Sequence, residues 1–218
     1  MNLMRFALVA LAAAFLSGCG INSVPTQEEN AKARWADVQS AYQRRADLIP
    51  NLVSAVRGAA ASEEDILTGV IEARAQATSV NVNADQLSDP QAFRQFEQAQ
   101  GNLGSALSRL MVVVERYPEL RSQERFADLM VSLEGSENRI DTARTRYNSA
   151  VQDYNTTIRT FPDIIGAKIV HGAEPMQSFT ADEGAMDVPE VDFGDMGSAP
   201  APANDNGGAE PAMTGTEN

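Results

Sequence analysis

Few residues of this chain could carry covalent or metal chemistry. There is one cysteine, Cys19, and one histidine, His171. A zinc site needs several His or Cys ligands, and a di-iron bundle needs two Glu-x-x-His pairs, so both familiar metal centres are excluded by count. No Asp-x-Asp-x-Asp-Gly loop marks a calcium site. His171 stands in the stretch Lys-Ile-Val-His-Gly with no Ser or Cys motif near it, so it reads as a junction residue rather than a general base. These residues predict a protein without catalytic residues, cofactor or metal. The remaining chemistry lies in charges at inward helical positions. Arg45 falls on the apolar seam of one helix, and Glu137 and Arg144 flank the seam of another. A charge buried alone would cost several kcal/mol, so Glu137 is expected to accept from an arginine in a polar layer.

Cys19 has a different expected use. Met1 to Arg5 carries one positive charge, Phe6 to Leu16 is apolar, and Leu16-Ser17-Gly18 brings small residues up to the cysteine. That order is a secretory signal, too short for an ordinary membrane span. Its last four residues resemble the lipobox of bacterial lipoproteins, in which the cysteine is acylated on sulfur and becomes the first mature residue. Residues 1–18 are then a signal peptide and residues 19–25 a lipidated linker. The expected partner is a bilayer, reached through the lipid on Cys19. Gly20 follows the cysteine, and not the aspartate that retains enteric lipoproteins at the inner membrane, so the periplasmic face of the outer membrane is favoured over the inner.

The net charge of −13 is uneven. All 17 basic residues and 20 of the 30 acids precede Gly172, and the rest of the chain holds ten acids and no base. An acid excess of this kind excludes nucleic acid as a partner.

Positioning falls to helices. Proline and glycine are scarce from Thr26 to Phe161. Trp35, Val38, Tyr42, Arg45, Ile49, Leu52 and Val56 recur at intervals of three and four, which predicts a first helix over about Thr26–Ala60 with a kink at Pro50. Ser62 and Asp65 have the spacing of a capping box opening a short second helix, about Glu63–Ala77, with Ile66, Val70 and Ala73 inward. After a polar loop, the third helix runs from about Pro90 to Tyr117 on Phe96, Leu103, Leu107, Leu110, Val114 and Tyr117. The fourth, about Ser122–Phe161, repeats Phe126, Leu133, Ile140, Tyr147, Tyr154 and Phe161 every seven residues. A stripe along a whole helix reads as a packing seam rather than a recognition face. The fold class is all-α, an up-and-down antiparallel four-helix bundle with long first and last helices over residues 26–172. An extended strap is expected over 173–193, and a disordered acidic tail over 194–218.

The runs RRADLIPNLVSAVRG (Arg44 to Gly58) and SRLMVVVERYPELRSQERFADLMVSLEGSENRIDTARTRYNSAVQDYNTTIRTFP (Ser108 to Pro162), with Ala73-Arg74 and VPEVDF (Val188 to Phe193), resemble the LemA family in content and order. The resemblance covers about Trp35 to Phe193. It implies a helical bundle held outside a bacterial cytoplasmic membrane, and it implies no particular reaction. Typical members carry a transmembrane helix where this chain has a lipobox. One branch is associated with forming magnetosome membranes, and no residue here singles that branch out. The expected function is a lipid-anchored, non-enzymatic scaffold or adaptor for another envelope protein. The alternative is a periplasmic ligand-binding sensor that uses the buried Arg45, Glu137 and Arg144 layer.

Overall fold

The computed structural model describes residues 22–180. The segment expected to be a signal peptide, with Cys19, and the expected strap beyond Thr180 and acidic tail lie outside these residues. The first helix, α1, spans Ser23–Ala59. It begins inside the stretch read as a linker, because Val24 is already fully buried and gains from a helical turn that points it inward. Every residue of its expected seam is buried, from Trp35 to Val56.

A 3₁₀ turn, Ala61–Glu63, leads into α2, Glu64–Ser79. The capping box expected from Ser62 and Asp65 does not form. The Ser62 hydroxyl instead shares a hydrogen bond of 3.1 Å with the phenol of Tyr117, and Glu63 takes the N-cap position without capping the helix, its carboxylate held by Tyr117 and Arg116. A tertiary partner has outcompeted the local one. The inner face of α2 is also turned by one position: Leu67, Val70 and Ala77 are buried, whereas Ile66 and Ala73 are only partly so.

The loop over 80–89 is less polar in effect than in composition. Val82 and Leu87 are each 1 % exposed, and Asn83 with Gln86 forms a capping box around a short 3₁₀ turn, Ala84–Gln86. The third helix, α3, spans Pro90–Glu115. Asp89 starts it by accepting from the amides of Gln91 and Ala92, and Pro90 occupies the first turn, where no amide is needed. Pro118 ends the run as expected but opens a single turn of helix, α4, Pro118–Arg121.

The long α5 spans Glu124–Thr157. Phe126, Leu133, Ile140, Tyr147 and Tyr154 are all buried along it, but Phe161 is 79 % exposed. The seven-residue stripe therefore stops one repeat early. Pro162 disfavours a helical conformation in the residue before it, so the helix closes before the sixth ring is reached. A short helix α6, Asp163–Gly166, and a π-helical turn, Ala167–His171, follow. Gly172 ends this run at φ 55°, a left-handed conformation that glycine adopts without strain. Residues 173–180 have no regular secondary structure and run back along the bundle, where Gln177 bonds Leu87.

Two hydrophobic cores lie along the bundle. One holds Val24 to Tyr42 of α1, Phe93 and Phe96 of α3 and Ile140 to Tyr154 of α5. The other holds Ile49 to Val56 of α1, Leu103 to Val114 of α3, Phe126 and Leu133 of α5, and the buried face of α2. Chain direction along α1 and α3 thus runs from the first core to the second, and along α5 from the second to the first. The long helices are antiparallel. The short α2 serves only the second core. Beside the first, its place is filled by Val82 and Leu87 of the loop and by Met176 and Phe179 of the segment after Gly172. These meet where the Gln177 amide donates to the Leu87 carbonyl at 2.8 Å.

Candidate functional site

The three buried polar side chains among the described residues, Arg45, Gln100 and Ser136, all sit at the boundary between the cores. On α1, Arg45 separates Tyr42 from Ile49. On α3, Gln100 separates Phe96 from Leu103, and on α5, Ser136 separates Leu133 from Ile140. Arg45 is 5 % exposed, and its two terminal nitrogens divide their work. Nη1 donates to both carboxylate oxygens of Glu137 at 3.1 and 3.3 Å. Nη2 donates to the Gln100 side-chain oxygen at 2.8 Å and weakly to the Gln100 carbonyl at 3.4 Å. Gln100 passes the chain on by donating to the Ala77 carbonyl at 3.1 Å. The guanidinium carbon lies 5.1 Å from the Tyr42 ring centroid, and Arg45 Nε is buried without a partner. One arginine on α1 thereby joins α3 and α5, and through Gln100 reaches α2.

Arg144 is not part of this layer. Its guanidinium carbon lies 4.6 Å from the centroid of the Phe179 ring, and its Nη2 donates to the Thr180 carbonyl at 3.4 Å. It lies two helical turns beyond Glu137 on α5, where residues 179 and 180 come within its reach. Gln100 and Arg74 were missed from the sequence. Gln100 carried a signal, a polar residue four positions after Phe96 on an otherwise apolar seam. Arg74 carried an indirect one. Pro50 has no amide to give the carbonyl of Ala46, and Arg74 Nε donates to that carbonyl at 2.7 Å. The proline's missing hydrogen bond is supplied from the neighbouring helix, so α1 continues through Pro50.

A second constellation explains the doubled Tyr-Asn pair of α5. Asn148 donates to the Phe179 carbonyl and accepts from the Phe179 amide, both at 2.9 Å. Asn155, seven residues on, does the same with Met176, again at 2.9 Å each way. Tyr147 donates to the Gln177 carbonyl at 2.8 Å. Each carboxamide copies the donor and acceptor pair of a strand edge, and the two lie two turns apart on one face. The segment after Gly172 is gripped as if by a neighbouring strand. Phe179 enters the aromatic cluster, with its centroid 4.9 Å from Phe93 and 5.7 Å from Tyr147. Trp35 is the hub of that cluster, 5.2 Å from both Phe96 and Tyr147, and its indole donates to the Val82 carbonyl at 2.8 Å. Burial raises the phenol pKa of Tyr42, Tyr147 and Tyr154 above the ordinary value.

A groove of about 690 Å³ opens beside the polar layer, with Gln39, Tyr42, Asp47, Ala77, Asn81 and Gln100 on its walls. Among the described residues no group of three His, Cys, Asp or Glu side chains could hold a metal ion. No described helix is long and apolar enough to cross a membrane. Cys19 lies outside the described residues.

The chain is 30 % identical over 157 residues to magnetosome protein MamQ 2 of Paramagnetospirillum magneticum AMB-1, and equally so to MamQ 1 of the same strain. It is 29 % identical to magnetosome protein MamQ of Magnetospirillum gryphiswaldense MSR-1. Each match covers 65 % of this chain and 58 % of the relative, so the chain spans under two thirds of the length of these relatives. The pattern that defines the LemA family matches residues 34–193, which takes in both the polar layer and the clamped segment. The chain belongs to the LemA family.

Proposed function

We propose that this protein is a lipid-anchored scaffold or adaptor of the bacterial cell envelope, tethered through Cys19 and without catalysis of its own. The anchor holds it at the periplasmic face of a membrane, the outer membrane being favoured over the inner. The observation that carries the scaffold reading is the commitment of Arg45. Both terminal nitrogens bind groups of the protein itself, on α3 and α5, so the buried charge serves to set helix register and leaves a stiff rod for others to bind. Membrane association is supported by family membership and by relatives named as magnetosome proteins.

The groove beside Tyr42 and Gln100 favours a second reading, a sensor in which a small polar ligand reaches the layer from its open side. The two readings separate experimentally. Crosslinking the intact lipoprotein in its own membrane should give a defined complex with one envelope protein, unchanged when Asp47 and Gln39 in the groove are replaced by alanine. A metabolite that raises the Tm of wild type, but not of the groove variant, would establish the sensor instead. The anchor has its own test: Cys19→Ser should abolish palmitate labelling and normal signal maturation. Continued labelling of that variant, or a wild type that fractionates as a soluble protein without detergent, defeats it.

A further inference from the structure

The short run after α5 carries the largest exposed apolar surface among the described residues. Phe161 is 79 % exposed, Ile165 52 %, Ile169 79 % and Val170 60 %. Ile165 and Ile169 stand four residues apart on α6 and the π-helical turn, with Val170 beside Ile169 and Phe161 in the turn immediately before α6, so the four make one exposed apolar stripe along the run. The opposite side of the same run is spoken for. Gly166 and Ala167 are buried, and Ala167 belongs to the aromatic core. The run is therefore a small amphipathic element docked on the bundle by small residues, with large apolar side chains turned outward. Scattered exposed residues such as Val112 and Val131 need no explanation, but four large apolar residues exposed within ten positions of one short run do.

Its place in the fold names its occupant. The Ser23 hydroxyl is hydrogen-bonded to the Asp163 carboxylate, which ties the first residue of α1 to the first residue of α6. Cys19 is four residues before Ser23. Four residues of chain reach at most about 14 Å, so the residue that carries the lipid lies within that distance of Ser23, which is itself bonded to the first residue of α6. Exposed Arg159 and Lys168 flank the stripe and can lay their stems on apolar surface while holding charge among headgroups. The geometry points to a second membrane contact: Phe161, Ile165, Ile169 and Val170 insert into the interfacial layer of the bilayer to which Cys19 is anchored. This rests on the lipid-anchor reading. It adds orientation to it, because one acylated residue leaves the bundle free to tilt, whereas a second contact beside the N-terminal end of α1 fixes which end faces the lipid.

The test uses the full-length lipoprotein reconstituted into vesicles of phosphatidylethanolamine and phosphatidylglycerol. With the Cys19 thiol consumed by the lipid, Ile169→Cys and, separately, Val131→Cys on α5 each offer one thiol for an environment-sensitive fluorophore. The probe at 169 should shift to the blue in vesicles and be quenched by brominated acyl chains at least about twofold more than the probe at 131, as an interfacial depth requires. Equal quenching of both probes by aqueous iodide overturns the proposal. So does shielding at 169 that grows with protein density without bromolipid quenching, which assigns the stripe to a second copy of the chain. Shielding already complete in detergent-free Cys19→Ser protein assigns it to the chain's own residues 181–218, and also overturns it. Protein that floats with vesicles while its 169 probe reads water loses the stripe and keeps the anchor. Protein that does not float and takes up no palmitate loses the anchor itself.

Discussion

The aliphatic core is closed by helices alone, since Ile, Leu and Val side chains from α1, α2, α3 and α5 meet there and carry no polar atom to satisfy. The aromatic core is built from Trp35, Tyr42, Phe93, Phe96, Tyr147, Tyr154 and Phe179, and four of these carry polar tips while Phe179 brings the backbone of residues 173–180 with it. Trp35 needs the Val82 carbonyl and Tyr147 the Gln177 carbonyl, so this core recruits a loop and a strap that the other does without. Helix-only packing makes a self-sufficient end. Packing through rings with polar tips makes an end whose closure depends on distant chain.

The largest effect should come from Tyr147→Ala. Removing a fully buried ring costs about 3–5 kcal/mol in urea unfolding, and amide hydrogen exchange at Met176–Phe179 should rise with it. Leu110→Ala in the aliphatic core should cost about 2–5 kcal/mol and leave exchange at those amides unchanged. If the strap amides open equally in both variants, the two cores are one cooperative unit and the contrast fails. Arg45→Met, at the boundary, should cost about 2 kcal/mol, because Gln100 is left buried with an unmet acceptor. Glu137→Gln should cost under about 1 kcal/mol, since the Glu137 side chain is 45 % exposed and the pair is partly screened.

Asn148→Ala and Asn155→Ala each remove two hydrogen bonds to the strap and should cost about 1–2 kcal/mol apiece, with faster proteolysis near residues 173–180 as the readout. A double-mutant cycle on Pro50 and Arg74 sharpens the account of the other core. Arg74→Met should cost about 1 kcal/mol in wild type and clearly less in Pro50→Ala, where the restored amide satisfies Ala46 within the helix. Equal costs in both backgrounds would mean that Arg74 acts elsewhere. The last effect is silent at neutral pH. The folded pKa values of Tyr42, Tyr147 and Tyr154 are raised by burial, so the fold favours the neutral phenol. Their contribution is fully present below the unfolded value of about 10 and is lost as pH rises beyond it. Hydrogen exchange at alkaline pH, corrected for its intrinsic rate, should show the aromatic core opening before the aliphatic one.

Periodicity made the long helices legible. The α1 seam from Trp35 to Val56 and the α5 stripe from Phe126 to Tyr154 are local patterns, and helices bury such stripes whatever their partners are. The LemA resemblance was likewise readable from runs of sequence. The Ser62–Asp65 capping box and the buried Phe161 were misread for a shared reason. Each followed from neighbours in sequence, and each was decided by something else: the Tyr117 phenol in one case, the chain turn before Pro162 in the other.

The polar contacts were not legible, because their partners are far apart along the chain. Arg45 finds Gln100 55 residues away, Arg74 reaches back 28 residues to Ala46, and Asn148 holds Phe179 across 31. A sequence shows that an inward arginine needs an acceptor and that a helical proline frees a carbonyl, since these are demands of single residues. Which group answers each demand depends on helix order, rotation and length, and only the packed fold sets those together. Arg144 illustrates the division: its place on the α5 flank followed from spacing, while its ring partner became Phe179 because the segment after Gly172 packs back against that turn.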